Sequence, residues 1–113
     1  MTWSIHFTST AYRDLENIHS YITIQLSSPD TAKKLTRKIF EKIRSLATFP
    51  ERYKIFQNRF EISEVIRVMP VENYLVFYLL NKALKKIIII RIMYAGRDLD
   101  KQLKPYLFHE RQE

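Results

Sequence analysis

The fold is decided by residues 65–98, VIRVMPVENYLVFYLLNKALKKIIIIRIMYAGRD. This stretch contains three apolar runs, at residues 65–69, 74–80 and 87–94, separated by short polar turns. Because short connections join neighbouring antiparallel strands, the pattern predicts a three-stranded antiparallel meander. The chain's one glycine, Gly96, follows the last run. We expect it to supply a backbone geometry that a β-carbon would forbid.

A strand and a first helix are predicted before this stretch. Apolar and polar residues alternate over residues 3–8, which indicates a half-buried strand. The period then changes to that of a helix over residues 9–25, with Thr8 or Ser9 as the N-cap. The residues predicted to form its buried face are Ala11, Leu15, Ile18 and Ile22.

A second amphipathic helix is predicted over residues 29–47. The junction Ser27-Ser28-Pro29-Asp30 places a serine cap, a proline and an acid where helices begin. The apolar stripe is Ala32, Leu35, Ile39, Ile43 and Leu46, and the opposite arc carries Lys33, Lys34, Arg37, Lys38, Lys42 and Arg44. The short junction predicts an antiparallel helical hairpin. The basic arc is either a solvated face or a nucleic-acid surface.

These elements predict one α+β domain over residues 1–113, in which an N-terminal strand and an α-helical hairpin pack on an antiparallel β-sheet. Asp98 is expected to cap a short closing helix over residues 99–104, followed by a tail. The two later strands are apolar on both faces, but the hairpin can cover only one of them. We therefore expect a partner to cover the other face.

Charge and composition bear on the partner and the compartment. The net charge of +7 favours an acidic partner, such as nucleic acid, an acidic protein segment or an anionic membrane, although it also simply keeps a small protein soluble. The chain has no cysteine, no visible signal peptide and no apolar run of the roughly 20 residues that a membrane span needs. These features predict a cytoplasmic protein without a membrane partner.

Most catalytic chemistries are absent from the sequence. His6, His19 and His109 are scattered without metal-ligand spacing, and a single glycine excludes phosphate-binding loops and dinucleotide fingerprints. We therefore expect no metal and no cofactor. Catalysis, if present, would need Arg, Lys, Tyr, Asp or Glu, from which a metal-free ribonuclease can be built.

The order of elements, with residues 67–78 (RVMPVENYLVFY) and residues 90–98 (IRIMYAGRD), resembles the RelE/ParE superfamily of bacterial toxins from type II toxin–antitoxin modules. The resemblance spans roughly residues 5–103. RelE-like members cleave mRNA on the ribosome, whereas ParE-like members poison DNA gyrase. RelE-like chains typically carry an arginine where this chain has Leu75, and neither Arg97 nor Tyr106 matches a catalytic position well. These departures favour the ParE-like branch and imply no catalytic residue.

The resemblance implies a gyrase inhibitor, with plasmid stabilisation as its biological role, that is neutralised by an acidic, ParD-like antitoxin in a hetero-oligomer. The alternatives are a ribosome-dependent mRNA endonuclease and a degenerate antitoxin-binding module. The residues expected to bind target or antitoxin are Arg67, Tyr74, Tyr78, Arg91, Tyr94, Arg97 and Asp98. For Arg67 and Arg97, ion pairing within the fold, with Glu64, Glu72 or Asp98, is an equal expectation.

Overall fold

The computed structural model describes residues 2–56 and 65–96, and its architecture is α+β, as the sequence predicts. The elements in chain order are β1 (Ser4–Phe7), α1 (Ser9–Ser20), a π-helical turn (Tyr21–Gln25), α2 (Pro29–Ser45), β2 (Arg67–Val71), β3 (Tyr74–Asn81) and β4 (Lys86–Tyr94). The four strands form one sheet in the order β1-β4-β3-β2. The helical hairpin packs on one face of this sheet.

The antiparallel meander of β2, β3 and β4 is confirmed, and its first turn is tighter than predicted. Val71 pairs with Tyr74, so the turn shrinks to Glu72 and Asn73, and Glu72 adopts the left-handed conformation with φ 55°. Pro70 lies inside β2 instead of in the turn. A proline is tolerated there because β2 is an edge strand. On the outer side of β2, no neighbouring strand of the sheet needs the N–H that proline lacks.

The N-terminal strand makes the sheet mixed. β1 pairs in parallel with the first half of β4, from Ser4 opposite Lys86 to Phe7 opposite Ile89. The predicted alternation holds, since His6 is exposed while Ile5 and Phe7 are partly buried. A parallel pair needs a long crossover, and here the helical hairpin, β2 and β3 all lie between the two strands in sequence.

The helical hairpin is built as its sequence pattern predicts. Thr8 is the N-cap of α1, and its side chain accepts a hydrogen bond of 3.0 Å from the backbone N–H of Ala11. Ser28 stands at the predicted cap of α2, but its hydroxyl donates to Thr31 Oγ1 at 2.6 Å instead of capping a backbone N–H. The predicted stripes lie against the sheet, with Ala11, Leu15, Ile22, Ala32, Ile39, Ile43 and Leu46 buried.

The second face of the sheet is not exposed, and the expectation that it lies uncovered is wrong. Phe77 and Ile90 are both 0% exposed on that face. They form a second apolar cluster with Ile66, Val68 and Met93, against which Phe56, Leu75, Leu79 and Ile88 pack. The ring of Phe56 meets that of Phe77 edge-on at 5.1 Å between centroids. The chain thus shields this cluster itself, so an uncovered sheet face is no argument for a partner.

Candidate functional site: a groove between the helical hairpin and the end of β4

An open groove of about 1350 Å³ lies between the helical hairpin and the sheet. One wall comes from the second half of α1, the π-helical turn and the first turns of α2. The other wall comes from the turn between β2 and β3 and the last residues of β4. Three of the predicted binding residues, Tyr74, Arg91 and Tyr94, line it together. The hairpin and the meander form the groove jointly, because each supplies one of its walls.

An ion pair between Asp14 and Arg91 joins the two walls. The Arg91 side chain donates from Nε to Asp14 Oδ2 at 2.7 Å and from Nη2 to Oδ1 at 3.0 Å. Both side chains are largely buried, with 15% of Arg91 and 13% of Asp14 exposed. A two-point arginine–carboxylate contact fixes both distance and orientation. This pair therefore holds α1 at a defined position beside β4.

Asp14 also completes the sheet. β1 pairs with β4 only as far as Ile89, so the following residues of β4 have no strand on that side. The backbone N–H of Ile92 donates to Asp14 Oδ2 at 2.9 Å, and the hydroxyl of Thr8 donates to the carbonyl of Ile90 at 3.2 Å. Side chains from α1 and its cap thus replace the missing strand. This covers an edge that would otherwise present unpaired backbone groups.

Two tyrosines and Gly96 form the sheet side of the groove. The rings of Tyr74 and Tyr94 meet edge-on, with centroids 5.8 Å apart, and Tyr94 is 48% exposed. A β-carbon on Gly96 would lie 2.6 Å from Cε2 of Tyr94. Gly96 does not have a positive φ. The expected backbone role is therefore wrong: the Tyr94 ring, and not the dihedral angles, limits the space for a β-carbon at this position.

Charged and apolar groups alternate around the groove. Lys38 of α2 forms an ion pair with Glu72 of the β2–β3 turn, and this hydrogen bond lowers the pKa of the Glu72 carboxyl. Lys34 adds a further cation to the same wall. Tyr21 and Leu26, which are 54% and 57% exposed, place apolar surface on the helical side. The groove can therefore accept a segment that carries both apolar and charged side chains.

The structure separates Arg67 and Tyr78 from the groove. They pair with each other across β2 and β3, beside the loop that follows α2. The Tyr78 hydroxyl is buried and donates to the carbonyl of Pro50 at 2.7 Å, and burial raises its pKa to about 12. Arg67 donates to the carbonyl of Tyr53 at 2.8 Å and lies 3.5 Å from the carboxylate of Glu51. Both side chains tie the loop to the sheet.

Several predicted features lie outside the described residues. They are Arg97, Asp98, Tyr106 and the closing helix over residues 99–104. Within residues 2–56 and 65–96, no group of three or more His, Asp or Glu side chains is placed to hold a metal ion. In the same part of the chain, no helix has the length and apolar character required to span a bilayer.

The sequence does not identify Asp14, Lys38 and Glu72 as residues of one groove. Each reads as an exposed polar position on a helix or a turn. Asp14 and Arg91 are 77 residues apart, and Lys38 and Glu72 are 34 apart, so no local pattern connects them. The one usable signal is charge complementarity between a helix and a strand end. Many other pairs of charged residues would satisfy charge complementarity equally well, because 27% of the chain is charged.

The fold is that of the RelE/ParE superfamily of toxins. The toxin fold in the chromosomal ParDE system from P. aeruginosa superposes with a TM-score of 0.67 at 22% identity, covering 84% of this chain and 98% of that one. Residues 5–99 match the family described as ParE toxin of type II toxin-antitoxin system, parDE. The chain belongs to this ParE toxin family.

Other solved structures share the fold at lower identity. The toxin–antitoxin complex RelBE2 from Mycobacterium tuberculosis gives a TM-score of 0.62 at 18% identity, covering 85% of this chain and 95% of that one. A mutant of E. coli toxin RelE in the free state gives 0.61 at 10% identity, covering 90% and 93%. No curated protein is significantly similar in sequence. The fold is thus common to ParE and RelE proteins and does not separate the two activities.

Proposed function

We propose that this toxin acts by binding and inhibiting DNA gyrase and that a cognate antitoxin neutralises it by occupying the groove. The family match over residues 5–99 carries the proposal, because that family is the ParE branch and not the RelE branch. The role is one of binding, without a chemical step. The same reasoning leads us to propose a cytoplasmic location, a single domain and a heteromeric complex with the antitoxin.

The arrangement of the sheet arginines supports binding over RNA cleavage. Ribonuclease chemistry on a sheet needs cations available to stabilise the charge that develops on a phosphate. Arg91 is engaged by Asp14, and Arg67 by the loop carbonyl of Tyr53. Leu75 lies on β3 against the second apolar cluster, where it adds no charge. Arg91 and Arg67 therefore serve the fold.

The groove supports an antitoxin of mixed apolar and acidic character. Its exposed apolar side chains, Tyr21, Leu26 and Tyr94, provide area that a bound segment can bury. Lys34 and the net charge of +7 favour carboxylates on that segment. The solved neighbours include toxin–antitoxin complexes, in which an antitoxin is present. A peptide in the groove would make contact with both the hairpin and the meander.

The target is tested by two assays run in parallel after expression of the toxin without its antitoxin. We expect purified toxin to inhibit supercoiling by gyrase, while mapped mRNA 5′ ends in the same cells show no codon-phased cleavage. Cleavage in phase with codons, together with normal supercoiling, would establish the RelE-type activity instead. If neither assay responds and growth is normal, the chain is a non-toxic antitoxin-binding module and the proposal fails.

The antitoxin site is tested with a matched pair of tyrosine variants. Tyr94→Ala removes an exposed ring inside the groove, and Tyr12→Ala removes one of similar exposure on α1 outside it. With the small acidic protein that co-purifies with the toxin, calorimetry should show affinity reduced about 10- to 100-fold by Tyr94→Ala, as for an interface aromatic worth roughly 1.4 to 3 kcal/mol. Tyr12→Ala should change it less than about 3-fold. Equal losses would place the antitoxin elsewhere.

A further inference from the structure

The tertiary structure places five of the six cations of the α2 basic arc in two sets. Lys34 and Lys38 line the groove described above. Lys33, Arg37 and Arg44 lie on the other side of the helix, around a separate shallow cleft of about 400 Å³ between α2 and α1. We call these three side chains the α2 basic face. The two sets therefore face different surroundings, and a single partner segment in the groove leaves the α2 basic face open.

No ion pair among the described residues involves Lys33, Arg37 or Arg44 of the α2 basic face. The ion pairs in this part of the chain join Lys38 to Glu72, Arg67 and Lys82 to Glu51, and Arg91 to Asp14. Glu41 is the one carboxylate among the residues that line the shallow cleft, where His19 also lies.

Glu41, four residues after Arg37 and three before Arg44, offsets only part of the repulsion within this face. Lys33 and Arg37 are four residues apart, and like charges at that spacing on a helix destabilise it by a few tenths of a kcal/mol. All three side chains are exposed, so the fold gains little packing from them. A polyanionic partner would turn this local repulsion into attraction.

The dimensions of the α2 basic face fit a nucleic-acid backbone. Lys33 and Arg44 are eleven residues apart, which corresponds to about 16 Å along the helix at 1.5 Å per residue. Over that length one strand of duplex DNA presents about five phosphates, at 3.4 Å per charge along the axis. Three cations spaced along a rigid helix can therefore contact several phosphates at once.

The exposed aromatic rings favour a duplex over a single strand. Single-strand binding uses aromatic faces on which successive bases stack. Tyr12 and Phe40 are partly exposed near the α2 basic face, but both rings already pack on Phe7, at 6.3 Å and 5.9 Å between centroids. A helix with exposed cations and engaged rings is suited to the outside of a double helix.

We propose that the α2 basic face binds the phosphate backbone of double-stranded DNA without regard to its sequence. This inference goes beyond gyrase inhibition and does not depend on it. Phosphate contacts position a protein on DNA and carry no base information, which is consistent with lysine and arginine on an exposed helix. The groove remains available to the antitoxin, because it lies on the other side of α2.

The test measures binding of the full-length toxin to a fluorescein-labelled 30-base-pair duplex by anisotropy, over a series of NaCl concentrations. The test variant carries Lys33→Gln, Arg37→Gln and Arg44→Gln. Its control carries Lys54→Gln, Lys82→Gln and Lys85→Gln, which remove the same charge from the loop before β2 and the turn between β3 and β4. Glutamine is a good helix former, so the α2 substitutions should preserve the helix.

We expect the wild type and the control to bind with similar salt dependence. For the test variant, the slope of log K against log salt should become shallower by about 2.7, that is 0.9 for each of three lost phosphate contacts. If the triple variant is not folded by circular dichroism, Arg37→Gln alone should reduce the slope by about 0.9.

Three results would overturn the proposal. The first is an absence of duplex binding by the wild-type toxin at low salt. The second is an equal loss of affinity and slope in the test and control variants, which would show that net charge and not this face is responsible. The third is tighter binding to a 30-nucleotide single-stranded RNA than to the duplex, with the same dependence on the α2 basic face.

Discussion

Arg91 and Arg67 each stand on a strand of the same sheet close to tyrosines, yet their surroundings differ completely. Arg91 lies at the wall of the groove, where it binds Asp14 of α1 and the nearby Tyr94 ring remains half exposed. Arg67 lies beside the buried Tyr78, and both donate hydrogen bonds to carbonyls of the loop after α2. The region around Arg91 stays open, because the ion pair with Asp14 joins the two walls of a groove. The region around Arg67 is closed by backbone carbonyls of the loop.

The difference shows that residue type does not decide whether a tyrosine or arginine contacts a partner. Tyr78 and Tyr94 are both on the sheet and both follow apolar residues. Tyr78 has a loop carbonyl within reach of its hydroxyl, so burial is compensated. Tyr94 stands at the end of β4 beyond the loop, so half of its surface remains available. Whether another part of the chain covers a side chain therefore decides whether that side chain can contact a partner.

Removing Asp14 should produce the largest loss of stability. Asp14→Ala leaves a largely buried guanidinium without its carboxylate and the N–H of Ile92 without its acceptor, so we expect a loss of roughly 3 kcal/mol in the free energy of unfolding. Urea denaturation measures it. Glu16→Ala, at an exposed position on the same helix, is the control and should change stability by less than about 0.5 kcal/mol.

Asp14→Asn separates the contribution of the ion pair with Arg91 from that of the hydrogen bond with the N–H of Ile92. Asparagine keeps an oxygen for the N–H of Ile92 but removes the charge that pairs with Arg91, so its loss should fall between those of the control and of Asp14→Ala. If Asp14→Ala behaves like Glu16→Ala, the ion pair does not hold the groove wall in place.

Tyr78→Phe should cause an intermediate loss that disappears in alkali. Near neutral pH, the Pro50 carbonyl loses its buried donor, at a cost of roughly 1–2 kcal/mol. The pKa of Tyr78 is about 12 in the folded protein and near 10.0 when unfolded. Above pH 10 the unfolded chain therefore releases its proton first, and the stabilising contribution of this hydroxyl falls as the pH rises towards 12.

The measurement compares wild type and Tyr78→Phe in urea at pH 9 and pH 11. We expect the stability advantage of the wild type to shrink by about 1 kcal/mol over that interval, since one pKa unit corresponds to about 1.4 kcal/mol. The other titrating groups are common to both proteins and cancel in the difference. An advantage that is unchanged at pH 11 would mean that the hydroxyl is not protected by burial.

Gly96→Ala should have the smallest effect and should depend on Tyr94. The new β-carbon meets Cε2 of Tyr94, and moving this half-exposed ring off its rotamer costs about 0.5–1.5 kcal/mol. The lower entropy of the unfolded chain offsets this by about 0.4–1 kcal/mol, so the net change should be near zero. In a Tyr94→Ala background the same substitution should stabilise by about 0.4–1 kcal/mol. Equal effects in both backgrounds would show that the two residues do not interact.

Local patterns in the sequence predicted most of the fold. The periodicity of Leu15, Ile39 and Ile43 placed both helices, because a helix exposes one face to the core every 3.6 residues. Alternation of apolar and polar residues placed β1, because successive side chains of a strand point to opposite faces. Apolar runs joined by short turns placed the other strands. The parallel partner of β1 could not be predicted, because pairing across the whole chain leaves no local trace. The turn predicted over residues 70–73 is two residues longer than the observed turn at Glu72 and Asn73, because Pro70 is a common turn residue.

The candidate site was predictable only in part. Tyr74, Arg91 and Tyr94 were expected to bind a partner, and the structure brings them together in one groove. Tyr78 and Arg67 carried the same expectation, but the loop over residues 50–53 engages both. The hydrogen bonds that tie this loop to the sheet use backbone carbonyls, which every residue has, so residue types do not identify them.

By itself, the sequence determined the element types, the buried stripes, the excess of positive charge and, through its family match, a ParE toxin. These properties are local or compositional, so they can be read without knowing which parts meet. Only the tertiary structure decided that Asp14 completes the edge of β4, that the second sheet face is shielded within the chain, and that the cations of α2 face two different surfaces. Each of those features depends on contacts between residues that are distant in the sequence. The same helices and strands could be arranged in many other ways, each with different contacts of this kind.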